Sequence, residues 1–390
     1  MPLRNYRVLD LTRLLPGPYC TMILADFGAE VIKVEDTNVG DYTRHWEMDN
    51  QEEQSPFYEA LNRNKKSVSI DLKAKKGKEI FKELVKEADV VVESFRPGVM
   101  ERLELGYDTL KTVNPSLIYC AITGFGQTGP YMNDPGHDIN YLSLAGRLYY
   151  FAREHQKPAP PPVQIADIGG GALPATIGIL MALLEKEQSG KGQFIDISML
   201  DNIMSWMSSF LPDYLQTKKE PQPGKLVLSG AKACYEVYET KDGRYLAVGA
   251  LEEKFWKTFC ETIGKESFIP LLNAPLQEQH RLKTEIQNII SQKTLVEWTN
   301  IFAGKEACVT PVHTLDEMVK DPQLNAREII KTVHGKRYIS PSIHLSETPG
   351  AIKEVAPKQG EHTEEVLTTL GLSEEDIHTL KVENVIKVEK

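Results

Sequence analysis

The sequence predicts an α/β protein: a large domain on an open, mainly parallel, doubly wound sheet, joined by linkers to a smaller α+β domain. Three observations carry this prediction. Short β-branched runs alternate with helix-period stretches as far as Thr123, the pattern of successive β-α-β units. From about Gly224 the pattern changes to a hairpin followed by helices. The chain holds 390 residues, more than one core accommodates, since single cores stop growing near ~250–300 residues.

In chain order, Arg7-Val8-Leu9-Asp10-Leu11 is a strand ending in Thr12, and Pro16-Gly17-Pro18 leads into a helix over 19–27 that Gly28 closes. Val31-Ile32-Lys33-Val34 completes the first β-α-β unit. A strand follows over 67–72. The segment 76–88 is helical, with Ile80, Phe81, Leu84 and Val85 spaced along one face. Strands over 89–93 and 117–123 come next. With no repeat period, this alternation fits a Rossmann-like sheet with helices on both faces.

In the second half, 232–238 and 244–248 alternate around the turn Lys241-Asp242-Gly243, a hairpin signal. Helices are expected over 252–263, over 282–302 and, before Gly371, over 364–370. Pro-containing stretches near 158–162 and 219–223 suit linkers. The expected division is a large domain over 1–205, a linker over 206–224, a small domain over 225–325 and a linker over 326–334, with the tail 335–390 returning to the large domain.

Composition limits function. The hydrophobic fraction of 41% and charged fraction of 26% exclude disordered and fibrous classes. Lys+Arg 45 against Asp+Glu 55 leaves a net charge of −10. That balance opposes nucleic acid and anionic membrane as partners, because both need a positive face. Cys20, Cys120, Cys234, Cys260 and Cys308 are odd in number and scattered without C-x-x-C spacing. They suit reduced thiols rather than a disulfide frame or a zinc site, and no metal is expected. Residues 1–7 lack the apolar stretch of a signal peptide, and the longest apolar run, 172–184, has 13 residues and contains Pro174. A membrane span needs ~20, so a cytoplasmic location is expected.

Three motifs stand out. Gly124-Phe125-Gly126-Gln127-Thr128-Gly129 has the spacing of a dinucleotide fingerprint. The following Pro130-Tyr131-Met132-Asn133-Asp134-Pro135-Gly136 cannot open the helix such a fingerprint requires. A Gly-rich loop that lets backbone approach closely is the preferred reading. Gly169-Gly170-Gly171, just after Asp167, reads either as close helix packing or as a helix mouth holding Asp167 near a ligand. Gly136-His137-Asp138-Ile139-Asn140-Tyr141 places a histidine beside a carboxylate in a Gly- and Pro-rich setting, which suits acid-base work.

Several segments together resemble the family III coenzyme A transferases (the CaiB/BaiF family). They include Val8-Leu9-Asp10-Leu11 with Gly17-Pro18, the run Asp26-Phe27-Gly28-Ala29-Glu30-Val31-Ile32-Lys33-Val34-Glu35, and Asn62-Arg63-Asn64-Lys65-Lys66-Ser67. Phe95-Arg96-Pro97-Gly98-Val99, the Gly124 loop, Gly190-Lys191-Gly192-Gln193 and Gly360-Glu361-His362 extend the likeness over nearly the whole length. The segment from Gly136 to Tyr141 and Ala166-Asp167-Ile168-Gly169-Gly170-Gly171 look most like the α-methylacyl-CoA racemase branch, with His137 and Asp167 30 residues apart. Transferases keep an aspartate like Asp167 as nucleophile but usually have an aromatic residue in place of His137. Glu252 matches a racemase glutamate that hydrogen-bonds the catalytic histidine.

The resemblance implies that the substrate is a 2-methylacyl-CoA thioester, with coenzyme A arriving as part of it and no prosthetic group. Racemisation next to a thioester needs two acid-base groups on opposite faces of one carbon. His137 and Asp167 are the expected pair, Glu252 the group that fixes the imidazole, and Asp138 a residue that orients the loop. Backbone N–H groups around Gly169–Gly171 are candidate donors to the enolate oxygen. The implied coenzyme A positions are Ile70, Asp71, Leu72, Lys73, Ser94, Phe95, Arg96, Arg102, Gly136, Ile139, Asn140 and Tyr141. Lys73, Arg96 and Arg102 supply cations for phosphates. Where relatives commonly carry an arginine after Val-Glu, this chain has Asp36, so either Arg44 or Lys33 compensates or the nucleotide grip differs. The resemblance also implies an interlocked homodimer with sites between one copy's large domain and the other's small domain. The alternative activity is transfer of coenzyme A between carboxylic acids through an anhydride on Asp167. A third reading, an acyl-CoA-binding protein without turnover, sits poorly with the presence of His137, Asp167 and Glu252 together.

Overall fold

The computed structural model describes residues 1–46, 54–154 and 156–389. In chain order the strands among them are β1 (Arg7–Asp10), β2 (Glu30–Glu35), β3 (Lys65–Ile70), β4 (Val90–Glu93), β5 (Ile118–Thr123), β6 (Phe194–Ser198), β7 (Tyr235–Glu239), β8 (Tyr245–Gly249), β9 (Val309–Pro311), β10 (Ile330–Val333), β11 (Lys336–Ile339) and β12 (Ile386–Lys387). The chain clusters into two compact units: Met1–Ala145, Pro162–Trp206 and Leu324–Lys390 form one, and Gly146–Pro161 with Met207–Gln323 form the other.

The first unit is built on a seven-stranded sheet in the order β12-β3-β2-β1-β4-β5-β6. Neighbours are parallel except β12, which runs antiparallel to β3. Alternation along the strands assigns side chains to faces. Leu9, Ile32, Val34, Val68, Ile70 and Val91 pack with Ile80, Phe81, Leu84 and Val85 of the helix Lys75–Lys86 and with Val366, Leu367, Ile377 and Leu380 near the C-terminus. Val8, Val31, Val90, Val92, Ile118 and Ile122 face the helices Pro16–Asp26 and Leu173–Ser189. Helices cover both faces, as a doubly wound sheet requires. From β1 the chain steps outward to β2 and β3 and then returns to the other side of β1 as β4. The order reverses between β1 and β4, and in such sheets the crevice beyond the strand ends at that point is where ligands bind.

The second unit carries an antiparallel sheet β7-β8-β9. Gly243, at φ 68°, makes the predicted tight turn between β7 and β8. Trp256, Phe259, Trp298 and Phe302 form its aromatic core with Tyr238 and Leu246.

Two expectations change. The stretch 282–302 is two helices, Leu276–Ile290 and Leu295–Phe302. Between them Thr294 Oγ1 accepts from the Glu297 amide at 3.3 Å and a Glu297 carboxylate oxygen accepts from the Thr294 amide at 2.7 Å, a reciprocal cap that starts a new helix. The apolar stretch around 172–184 is also longer than its sequence suggests. A π-helical turn, Ala166–Ala172, runs directly into Leu173–Ser189, and this widened turn lies just ahead of Pro174, which has no N–H to donate and whose ring would crowd a regular preceding turn. The resulting 24-residue helix is the one among the described residues long and apolar enough to cross a membrane, and 44% of its most apolar window is buried inside the protein.

Candidate active site

The loop after β1 occupies the switch point, and buried charges hold it there. Asp10 accepts from Thr12 N and Oγ1 at 2.9 and 2.5 Å and pairs with Lys65 at 3.0 Å. Lys33 donates to Thr12 O at 2.8 Å and pairs with Asp41 at 2.9 Å. The Lys65 and Lys33 charges keep Asp10 ionised against its burial, holding its carboxyl far below the usual range. Arg13 projects from this loop.

Two cavities adjoin at it. One, of about 670 Å3, lies over the ends of β1 to β3 and is lined by Ile70, Asp71, Leu72, Lys73, Phe95 and Arg102 together with Arg13 and Asp36. The other, of about 350 Å3, is lined by Ser94, Phe95, Arg96, Gly136, His137, Tyr141 and Asp167, again with Arg13. Arg13 and Phe95 belong to both. Among the described residues Lys73, Arg96 and Arg102 have no carboxylate partner, so three cations along this groove are free for an anionic ligand.

His137 and Asp167 are brought to one cavity by Asp138. Its Oδ1 accepts from the amides of Ala166 at 2.5 Å and Asp167 at 3.1 Å, which fastens the His137 segment to the turn that bears Asp167. Burial, with the neighbouring Asp138 charge adding to it, pushes the Asp167 carboxyl up to about 7. Asp138 is itself raised by burial, opposed by the two amide hydrogen bonds. Asn140 Oδ1 accepts from the His137 amide at 3.0 Å, and the Tyr141 hydroxyl donates to Gly136 O at 2.5 Å. Asn140 thus shapes the loop, while Ile139 is exposed; neither lines these two cavities. Glu252 lies in the second unit, exposed at the N-terminus of the helix Glu253–Thr262.

The glycine motifs resolve into packing. A Cβ on Gly124 would lie 2.4 Å from the Tyr141 ring, so this loop lets an aromatic side chain approach and opens no helix. On Gly169 a Cβ would lie 2.3 Å from Trp206, on Gly170 2.8 Å from Met199 O, and on Gly171 3.0 Å from Pro16. The expected oxyanion role for the Gly169–Gly171 amides is corrected. Helical backbone already holds Ile165, the amide of Ile168 bonds Gln164 O at 3.1 Å, and Gly170 and Gly171 lie within the π-helical turn, whose i→i−5 ladder uses their N–H groups.

Neither proposed substitute for an arginine at position 36 is free. Arg44 is buried, with its guanidinium on both oxygens of Glu35 and on Pro357 O. Lys33 is committed to Asp41 and Thr12. Asp36 instead pairs with Arg13 at 2.8 Å. Sequence reasoning passed over Arg13, although its place just past the first strand of a doubly wound sheet was a usable signal.

Comparison with known proteins agrees with this architecture. Residues 3–363 match the model of CoA-transferase family III. The chain is 38% identical over 395 aligned positions to an alpha-methylacyl-CoA racemase of Mus musculus, covering 100% of this chain and 99% of that one. It is 33% identical to a succinyl-CoA--D-citramalate CoA-transferase of Chloroflexus aurantiacus, covering 99% and 98%. The crystal structure of a CAIB/BAIF family protein from Brucella suis superposes with a TM-score of 0.85 at 28% identity, over 95% of this chain and 99% of that chain. On both sequence and fold, the chain belongs to CoA-transferase family III.

Proposed function

We propose that the protein interconverts the (2R) and (2S) forms of 2-methylacyl-CoA thioesters by 1,1-proton transfer. The observation that carries this reading is the meeting of His137 with Asp167 in one cavity, the carboxyl raised to about 7. One of the pair removes the α-proton, the C–H electrons delocalise into the thioester carbonyl as an enolate, and the conjugate acid of the other returns a proton to the opposite face. A group poised near neutrality exchanges protons in both directions, which a reversible racemase needs. Coenzyme A enters as part of the substrate, bound through the free cations Lys73, Arg96 and Arg102, and the step uses no metal or prosthetic group. Glu252 enters as the family's histidine-orienting glutamate.

Transfer of coenzyme A between carboxylates is the competing reading, since relatives of both kinds match the sequence over nearly its whole length. It needs Asp167 as an ionised nucleophile and gives His137 no task. Incubation of one enantiomer of a 2-methylacyl-CoA in heavy water decides between them. The racemase reading expects α-deuterium incorporation with loss of optical purity, abolished by His137→Ala while coenzyme A binding persists. Coenzyme A appearing on added carboxylates without α-exchange overturns it.

A homodimer is part of the proposal. It is supported by an apolar row on the helix Leu173–Ser189, where Ile177, Met181 and Leu184 stand at least half exposed.

A further inference from the structure

We propose that Arg13 takes the diphosphate of the coenzyme A moiety and that Asp36 is the positioning residue that aims it. The inference rests on the thioester reading above, and four observations carry it.

The first is place. Arg13 lines both cavities, one beside the free cations Lys73 and Arg102 and the other beside Asp167. In a coenzyme A thioester the diphosphate lies between the phosphorylated nucleotide and the acyl-bearing pantetheine arm. With the thioester at Asp167 and the nucleotide over β2 and β3, the diphosphate falls at the seam.

The second is unused donor capacity. Nη1 donates to the Tyr42 hydroxyl at 2.9 Å and Nη2 to Asp36 Oδ2 at 2.8 Å. A guanidinium has five N–H groups, so three remain, enough for a forked contact with phosphate oxygens. Its plane is held over the rings of Tyr42 and Phe95, at 5.0 and 5.7 Å from their centroids.

The third is the effort spent on the loop. Besides the bonds to Asp10 and Lys33, the Arg13 amide donates to Ser94 Oγ at 3.4 Å and the Leu14 amide to Asp41 Oδ1 at 3.3 Å. Leu14 is held at φ 66°, a left-handed conformation that is unfavourable for a non-glycine residue. Such strain persists only where the surroundings over-determine it, and it gathers at ligand clamps.

The fourth concerns Asp36. Its Oδ1 accepts from the amides of Asn38, Val39 and Gly40, and its Oδ2 from Arg13. A carboxylate so fully engaged is not placed to bind ribose hydroxyls. It acts on the ligand through Arg13. The cation that relatives commonly place after Val-Glu is here displaced to the end of β1, with Asp36 turned from ligand contact to support.

Calorimetric titration of free coenzyme A into the full-length protein, with circular dichroism to verify folding, tests this directly. Arg13→Ala is expected to weaken coenzyme A binding about 10- to 100-fold, the scale of a lost charge-assisted pair. It weakens 3′-dephospho-coenzyme A by the same factor and lowers kcat/KM for an S-acyl pantetheine, which lacks the diphosphate, far less than kcat/KM for the coenzyme A thioester. Arg13→Lys keeps the charge without the fork and falls between; it carries the test if Arg13→Ala does not fold. Asp36→Ala raises KM for the coenzyme A thioester several-fold with kcat preserved. Equal affinity of wild type and Arg13→Ala overturns the proposal, as does a loss seen with coenzyme A but absent with the dephospho form. Wild type that binds coenzyme A yet shows no α-exchange sinks the racemase reading alone. Wild type that fails to bind coenzyme A removes both.

Discussion

Asp167 is under two influences that raise its carboxyl to about 7, first its burial and then the Asp138 charge. Asp138 is also the acceptor for the Ala166 and Asp167 amides, so geometry and electrostatics act through one side chain. Asp138→Asn separates them, because an amide oxygen still accepts both hydrogen bonds while the charge is gone. On the racemase reading, kcat/KM of the wild type has the same pH dependence for both enantiomers, because racemisation transfers no net proton and its equilibrium constant is independent of pH; the limb carried by Asp167 lies near 7. In Asp138→Asn that limb moves to lower pH for both enantiomers. A pH–rate profile for each enantiomer measures this, and unmoved limbs show that the Asp138 charge is not felt. At this scale His137 and Asp167 were each marked by their local settings, but their pairing was legible only through family likeness, since spacing cannot say that residues 30 positions apart share a cavity. Arg13 went unread because a lone surface-type cation stands out only when its place just past the first strand of a doubly wound sheet is weighed.

The turn bearing Asp167 is a π-helical segment pressed between the helix Met199–Ser205 and the start of the helix Pro16–Asp26. Three successive glycines make that approach feasible, and Gly170 is the most exacting. Its added Cβ would meet the backbone oxygen of Met199 at 2.8 Å and Ile203 at the same distance, and a carbonyl cannot rotate aside as a side chain can. Gly170→Ala should therefore destabilise the protein by about 1–3 kcal/mol, the usual cost of overpacking, read as a lower denaturant midpoint with unchanged slope. An unchanged midpoint would show that the helices separate freely here. The same logic explains which elements the sequence revealed. β1, β2, β4 and β5 are buried strands with apolar residues at their centres, and such segments announce themselves. β6 is an edge strand whose first three residues, Phe194 to Asp196, are not buried, and β12 is only two residues long, so neither shows as a buried run. The break at 291–294 was written in Thr294 and Glu297, a capping pair inside an otherwise helical period.

The helix Leu173–Ser189 presents a problem that only the assembled molecule can solve. Ala175, Ile179, Ala182 and Leu183 pack into the core, while Leu173, Ile177, Leu180, Met181 and Leu184 are exposed to between 38% and 67%. Those five positions follow helical spacing and form one continuous outer row. A helix apolar on every side needs cover on every side, and a contiguous exposed row of this kind marks an interaction surface. A bilayer is the poorer cover, because the same helical path contains the carboxyl of Asp167 and carries Glu185, Lys186 and Glu187 near its end. A second copy is the better one, since a two-fold axis lets the same row bury itself against its twin. Sedimentation equilibrium at micromolar concentration should give twice the chain mass of 43.9 kDa. Met181→Lys combined with Leu184→Glu, both on the exposed row, should shift the protein to monomer with its helix content intact by circular dichroism. Wild type sedimenting at the chain mass, or a variant that still dimerises, refutes the assignment of this surface; flotation of wild type with neutral phosphatidylcholine vesicles would award it to the bilayer instead.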